Sequence, residues 1–258
     1  MTDRSVKSAL TVGMAVEFDA GTGVKPVRSE HRDMATELAP GVWQFELRGV
    51  NAYLIEDDDG PTLVDAGTPM DVDDLRTGLA EAGYEPSDVG RVLLTHYDLD
   101  HVGGLTGLTP ELDAPVYAHR RDAELLTGER SPPLSNHKGA LQRLLGLFVT
   151  RPPLEVETVE DGDEVGEFTA YHTPGHSPGH VVFVSEEHEA ALLGDLVAGD
   201  DGELEPSGWL MSYDTAEVED SIRDLTERAP AFEVACVGHG EPLTSGGSDA
   251  LAALAARL

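Results

Sequence analysis

Four clusters of histidine and aspartate, each following a short apolar run, constrain this chain more than any other feature. The longest cluster, His96-Tyr-Asp-Leu-Asp-His101, holds four potential metal ligands within six residues. It follows the strand-like run Arg91-Val-Leu-Leu-Thr95 and precedes a Gly-Gly pair. A rigid strand can hold the side chains of the loop that follows it in fixed positions. We therefore expect a metal site at this strand end.

The three later clusters repeat the same arrangement. His172-Thr-Pro-Gly-His176-Ser-Pro-Gly-His180 is a tight turn that presents an imidazole. Leu193-Gly-Asp195 and Val237-Gly-His239 each place one ligand type at the end of an apolar strand. Each cluster alone is a weak signal, but their order and their common position at strand ends together form a specific pattern.

The pattern of apolar runs predicts an α/β (α+β) protein. Short strand-like runs separated by polar or glycine breaks begin at Gly41 and come first in antiparallel groups, then alternate with helices. Helices are predicted over 71–83, 119–127, 214–228 and 245–258. Two sheets covered by outer helices, a four-layer αββα sandwich, is the simplest packing of these elements. We expect an N-terminal arm over 1–35 and a single domain over 36–258.

Residues 130–154 differ in character from the rest of the chain. They contain no Asp or Glu, carry four basic residues, and are bracketed by two proline pairs. This composition predicts an inserted basic and apolar flap with a helix near 138–147. The flap could cover a substrate, or it could form an interface between two copies in a homodimer.

Composition excludes some partners. The chain has 49 acidic and 17 basic residues and a formal net charge of −32. This charge opposes binding to nucleic acid or to anionic lipid. An acid-rich, lysine-poor chain resembles proteins of extreme halophiles. The sequence shows neither a transmembrane run nor a signal-peptide pattern, so a cytoplasmic location is expected. The single cysteine, Cys236, lies in an apolar run and is expected to be buried.

Together the four clusters resemble the metallo-β-lactamase superfamily, whose pattern is His-x-His-x-Asp-His, a Gly-His turn, a bridging Asp and a Gly-His. The resemblance covers about residues 41–258. It implies two divalent metals, with zinc favoured and iron or manganese as alternatives. One metal would be held by His96, Asp98 and His176, the other by Asp100, His101 and His239, and Asp195 would bridge them.

Asp98 departs from the family pattern, which has histidine there. A carboxylate is a harder ligand than an imidazole and suits manganese or iron better. In a second interpretation, Asp98 does not ligate and only one metal is well occupied. The resemblance implies hydrolysis through a metal-bound hydroxide, and Asp100 could also assist proton transfer to the leaving group.

Several other polar residues have weaker signals. His137, Lys138, Arg143 and Tyr213 are candidate substrate contacts. Packing or support of the ligands is favoured over ligation for His172 and His180. Solvent exposure is expected for three further histidines: His31, His119 and His188.

Three functions remain open. The first is a hydrolase of a small ester, thioester or lactone, with a lactonase-like enzyme fitting best. The second is an iron dioxygenase acting on a persulfide, with one iron held by His96, His176 and Asp195. The third is a non-catalytic binding protein with a degenerate site. Glyoxalase II, β-lactamase and nuclease branches are disfavoured by chain length, by the missing signal peptide and by charge.

Overall fold

The computed structural model describes residues 33–258. Most of the expected arm over 1–35 therefore lies outside the described residues. The first strand already begins at Ala35, six residues before the strand pattern expected from Gly41. Within the described residues, no helix is both long and apolar enough to cross a membrane.

The first sheet has seven strands in the order of the chain. Its first four strands are antiparallel, and the pairings from the fourth to the seventh are parallel. The strands are β1 (Ala35–Ala39), β2 (Val42–Glu46), β3 (Asn51–Ile55), β4 (Thr62–Val64), β5 (Arg91–Leu93), β6 (Val116–His119) and β7 (Val156–Val159).

The second sheet has five strands, of which the last one in the chain lies at an edge and pairs in parallel with its neighbour. A separate two-stranded ribbon precedes that last strand. In chain order these strands are β8 (Glu164–Val165), β9 (Phe168–His172), β10 (Val181–Ser185), β11 (Ala190–Gly194), the ribbon pair β12 (Val197–Asp200) and β13 (Glu203–Pro206), and β14 (Val234–Val237). The order in the sheet is β14-β11-β10-β9-β8.

Seven α-helices and two short 3-10 helices connect these strands within residues 33–258. The α-helices are α1 (Val72–Glu81), α2 (Leu99–Val102), α3 (Leu105–Leu108), α4 (Arg120–Leu126), α5 (His137–Leu145), α6 (Thr215–Arg228) and α7 (Gly247–Ala255). The 3-10 helices are Pro86–Asp88 and Trp209–Met211.

Three apolar layers confirm the αββα sandwich. Strand β3 is buried on both faces, so successive side chains enter different layers. Leu54 packs outward with Leu75 of α1, whereas Ile55 packs inward with Phe183 of the second sheet. A third layer joins the outer face of the second sheet to α6 and α7. Removal of this apolar surface from water is the main force that stabilises the fold.

The predicted helices are present, with ends displaced by a few residues. Asp214 caps α6 as expected, because its carboxylate accepts hydrogen bonds from the backbone N–H groups of Ala216 and Glu217. The flap helix α5 begins at His137, and the Asn136 side chain caps it. Strands β7, β8, β12 and β13 were not predicted, since they are short and mostly half-buried or exposed and so lack a clear apolar alternation.

Candidate metal centre

Four strand ends bring the histidine and aspartate clusters together. His96–His101 follows β5, and His176 lies in the turn between β9 and β10. Asp195 and His239 follow β11 and β14, which are parallel neighbours and therefore deliver both side chains to the same edge of the sheet. The seven residues implied by the family resemblance all meet at this point.

Gly194 sets the direction of Asp195. Its φ of +52° is a left-handed conformation that glycine adopts without strain. A Cβ at this position would also come within 2.7 Å of the Thr95 Cβ. The chain can therefore turn sharply at the end of β11 and place the Asp195 carboxylate between the histidines.

The first group of donor atoms is compact and buried. The Asp98 Oδ2 lies 3.2 Å from both His96 Nε2 and His176 Nε2, and these two nitrogens are 3.1 Å apart. All three side chains are buried. Three such donors can contribute to a tetrahedral metal site.

The second group is more open. His239 Nε2 lies 3.5 Å from Asp100 Oδ2 and 3.3 Å from Asp195 Oδ2. His101 Nε2 lies 3.4 Å from Asp195 Oδ1. Since Asp195 Oδ2 is also 3.4 Å from His176 Nε2, Asp195 lies between the two groups. His239 and Asp100 are each about one-third exposed, so this group faces solvent.

Two buried ligand atoms of the second group, which lie 3.4 Å apart, are consistent with a metal between them. His101 Nε2 and Asp195 Oδ1 are buried and have no hydrogen-bond partner among the described residues. Buried polar atoms of native proteins are nearly always satisfied, and an ion is one explanation of an exception. Imidazole and carboxylate donors suit zinc, iron and manganese. Asp100, His101, Asp195 and His239 would hold such an ion.

Asp65 orients ligands of both groups, and the sequence interpretation missed it. Its Oδ2 accepts hydrogen bonds from His101 Nδ1 at 2.8 Å and from Thr95 Oγ1 at 2.7 Å. Because the single Thr95 hydroxyl proton is donated to Asp65, His96 Nδ1 must donate to Thr95 Oγ1 at 3.0 Å. Both histidines therefore keep a proton on Nδ1 and direct Nε2 toward the cluster. Asp65 directly follows β4, in the position that every other cluster occupies, so its place in the chain was the available signal.

His180 and His172 support the site without ligating. His180 Nε2 accepts a hydrogen bond from the Asp195 backbone N–H at 3.1 Å, and its Nδ1 is 2.8 Å from Thr173 Oγ1. His172 donates to the Pro178 carbonyl at 3.1 Å and stacks on His119. Both side chains therefore stabilise the turn that presents His176.

Two histidines expected to face solvent do not. His119 is 3% exposed because it stacks on His172 and caps α4 by accepting from the Arg121 backbone N–H. Burial and the neighbouring His172 lower its pKa to about 4. His188 has a side chain only 14% exposed, since its ring bonds to the carbonyls of Pro40 and Glu56. His31 lies outside the described residues.

Charge pairing fixes the protonation of the buried ligands. Burial alone would raise the pKa of Asp98, but the Lys138 ammonium and the neighbouring His176 and His96 rings hold it well below its usual range. Burial and the same ammonium lower the pKa of His176 to about 3. Burial opposes protonation of His101, yet the Asp195 and Asp65 carboxylates raise its pKa well above the usual value. A metal at the second group must therefore displace a proton from His101.

The candidate substrate contacts separate into two kinds. Lys138 is buried and contacts Asp98 and His176 within the cluster. His137 is exposed and stacks on Trp209, and Tyr213 donates its hydroxyl to Gln142. The structure does not bring Arg143 to the cluster, since its guanidinium extends toward the Pro132 carbonyl.

A small cleft opens beside the ligands. Asp98, Asp100 and Lys138 form its polar wall. The remaining wall is mostly apolar and comes from the loop after β5, the flap and the 3-10 turn: Tyr97, Leu99, Leu141, Leu145, Val149 and Met211. The flap also has four exposed apolar side chains: Leu134, Leu144, Leu147 and Phe148. The flap as a cover over the substrate and the flap as a dimer interface both stay predictions.

A family model described as the metallo-beta-lactamase superfamily matches residues 46–239, which is most of the chain. The chain belongs to this superfamily. The matched segment runs from the end of β2 to His239 and so includes all the ligand clusters. Because curated relatives in this superfamily are named hydrolases, the chain is a metallo-hydrolase, and its αββα fold agrees with solved members.

Three similar proteins illustrate the range of the metallo-beta-lactamase superfamily. The probable metallo-hydrolase YflN of Bacillus subtilis is 27% identical, over 85% of this chain and 91% of its own. The atrochrysone carboxyl ACP thioesterase of Aspergillus fumigatus is 32% identical, over 60% of this chain and 31% of its own. The crystal structure of TTHA1623 in a di-iron-bound form is 32% identical with a TM-score of 0.59, over 79% of this chain and 96% of its own.

Proposed function

We propose that this chain is a metal-dependent hydrolase of a small ester or thioester, with lactones as a related substrate class. The observation that carries the proposal is the pocket beside the ligands, in which an apolar wall faces Asp98, Asp100 and Lys138. An acyl chain would pack against this apolar wall, with its carbonyl carbon toward the polar side. The name of the Aspergillus fumigatus relative, a thioesterase, supports an acyl substrate.

A divalent metal held at the second group would supply a Lewis acid and hydroxide at neutral pH. The chain's own residues prepare this chemistry. Asp65 and the Gly49 carbonyl keep the protons of His101 and His239 on Nδ1, at 2.8 and 2.6 Å, so that both Nε2 atoms can ligate. Zinc is the proposed metal, with iron and manganese as alternatives, and the di-iron form of TTHA1623 supports iron.

Asp100 is the proposed proton carrier. Its carboxylate is one-third exposed and lines the pocket, whereas Asp98 and Asp195 are buried among charged partners. A carboxylate at the mouth of the site can accept a proton from the attacking water and transfer it to the leaving group. Because Asp100 would also hold the metal, the comparison uses Asp100→Asn loaded to the same metal content as the unmodified protein, and we expect this variant to lower kcat more than it changes KM, since the proton transfer belongs to the transition state.

A panel of substrates tests the proposal. The purified protein, in molar KCl, would be given acyl thioesters, aryl esters and lactones of two to eight carbons. We expect chelator-sensitive hydrolysis of thioesters or esters that increases with acyl length, because the wall is apolar. Hydrolysis that a chelator leaves unchanged, or none with any member of the panel, would refute the proposal. Leu141→Asp should remove the chain-length preference, and Leu134→Asp provides an exposed control outside the pocket.

The persulfide dioxygenase is disfavoured by one contact. It needs the Nε2 lone pair of His176 for iron, together with His96 and Asp195. In the structure that nitrogen contacts the Lys138 ammonium. Oxygen consumption with a persulfide substrate by iron-loaded protein would restore this alternative.

A further inference from the structure

Lys138 places a positive charge inside the first group of ligands. It is one of three lysines in the chain and is only 2% exposed. Its Nζ lies 2.9 Å from Asp98 Oδ2 and contacts His176 Nε2. Lysine is rarely buried without a partner of opposite charge, and here the partner is the carboxylate that departs from the family pattern.

The contact with His176 uses the lone pair that a metal would need. An ammonium has three donors and no acceptor, so His176 Nε2 must be the acceptor. The proton of His176 then lies on Nδ1, which is 2.8 Å from Ser207 Oγ. An imidazole nitrogen has one lone pair, and it cannot serve Lys138 and a metal at the same time.

The two groups of ligands differ in this respect. In the first group, His176 and Asp98 both have the Lys138 ammonium as a partner. In the second group, His101 Nε2 and Asp195 Oδ1 have no hydrogen-bond partner among the described residues. A side chain thus already supplies a positive charge to the first group, whereas in the second group His101 Nε2 and Asp195 Oδ1 face each other at 3.4 Å and an ion would supply that charge.

Charge favours the same assignment. Asp98, Asp100 and Asp195 bring three negative charges to the centre, and the histidines bring none while they ligate. One divalent metal and one ammonium neutralise these three carboxylates. A second divalent metal beside the ammonium would leave two excess positive charges on these groups, where unbalanced buried charge is costly, so a second metal and the Lys138 ammonium are not expected together.

The flap helix holds Lys138 in this position. Gln142, one turn later on α5, donates from Nε2 to Asp98 Oδ1 at 2.7 Å and to the Tyr97 carbonyl at 2.8 Å. Residues four apart lie on the same face of a helix, so Lys138 and Gln142 hold both oxygens of Asp98. Asn136, which caps α5, donates to the Tyr213 carbonyl at 3.0 Å and fixes the start of the helix.

We propose that the Lys138 ammonium takes the place of the first metal, and that the chain holds one divalent metal at Asp100, His101, Asp195 and His239. This inference rests on the proposed metal-dependent function. It replaces the two-metal centre implied by the family resemblance. It also gives Asp98 a role as the counter-ion of Lys138, which explains why a carboxylate stands where the family pattern has histidine.

Metal content per chain, measured by mass spectrometry after zinc loading and desalting, tests the proposal. We expect one zinc in the unmodified protein and two in Lys138→Met, because this variant frees His176 Nε2 and leaves Asp98 without its counter-ion. Arg143→Met is the matched control on the same helix: it removes the same charge away from the cluster and should keep one zinc. Two zinc ions in the unmodified protein, or one in a folded Lys138→Met, would overturn the inference.

A labelling measurement on the unmodified protein tests the proposal without relying on a variant that folds. Lys138 should resist reductive methylation equally before and after zinc loading. Labelling that rises on loading would show that a metal expels the lysine, and the inference would fail while the proposed function stands. Absence of bound zinc in the unmodified protein would instead refute the proposed function and the inference together.

Discussion

Replacement of Asp65 by asparagine is expected to weaken metal binding by tenfold to a hundredfold. The Asp65 carboxylate accepts three hydrogen bonds, from the Thr95 backbone N–H at 2.9 Å, from Thr95 Oγ1 and from His101 Nδ1. Asparagine has one acceptor oxygen. If that oxygen stays with the Thr95 backbone, the amide nitrogen faces His101 Nδ1, and the imidazole proton must move to Nε2. That nitrogen can then no longer ligate.

The size of the effect follows from this change of tautomer. Loss of a partner that orients a metal-ligating histidine costs about 10–100-fold in affinity, which is about 1.4–2.7 kcal/mol. Asparagine suits the backbone, because Asp65 has a φ of 59° and asparagine tolerates the left-handed region. The loss should therefore reflect the hydrogen bonds and not backbone strain.

Zinc affinity would be measured by competition with a chromophoric chelator. Asp201→Asn is the matched control: it makes the same substitution at an exposed position with a φ of 51°, in the turn between β12 and β13. We expect Asp201→Asn to bind zinc like the unmodified protein. An Asp65→Asn affinity within twofold of that value would refute the assignment of Asp65 as the residue that fixes the His101 tautomer.

Three further predictions concern stability and reactivity. The pKa of His119 is lowered from 6.5 to about 4, so folding favours the neutral ring and the free energy of unfolding falls as the pH drops below 6.5. Urea melts should show that this group makes the protein about 2 kcal/mol less stable at pH 5 than at pH 8. His119→Gln should lose that part of the pH dependence. Burial raises the pKa of the Cys236 thiol, so a thiol reagent should label one cysteine only after unfolding, and labelling of the native protein would contradict the buried position. Because the net charge is −32, the melting temperature should rise between dilute buffer and molar KCl, and an unchanged value would refute a dependence on salt.

Sequence pattern predicted the fold well where burial imposes periodicity. The apolar runs that precede the ligand clusters at β5, β11 and β14 have no exposed positions, and each is predicted as a strand. Strand β13 was not predicted because Leu204 is its one buried side chain, between Glu203 and Glu205, which face solvent. The pattern of apolar residues in the sequence carries little information about such a strand, because pairing with β12 stabilises it more than burial of its own side chains does.

The ligand residues could be predicted because they follow strands in clusters, and clustered histidine and aspartate side chains at such positions are typical of metal ligands. Asp65 occupies the same kind of position but stands alone, and its role depends on contacts with Thr95 and His101, which are 30 and 36 residues away. The sequence predicts Lys138 only as a basic residue of the flap and a candidate substrate contact. Its insertion between Asp98 and His176 depends on how α5 docks, which no local feature of the flap sequence specifies.

Chelation and reconstitution of the hydrolysis reaction test the central claim most directly. The unmodified protein, its chelated form and His239→Ala would be compared for turnover of a short acyl thioester, with oxygen consumption recorded in parallel. We expect turnover that the chelator abolishes, that zinc restores, and that His239→Ala lacks even with added zinc. Turnover that survives chelation, or oxygen consumption in place of hydrolysis, would contradict it.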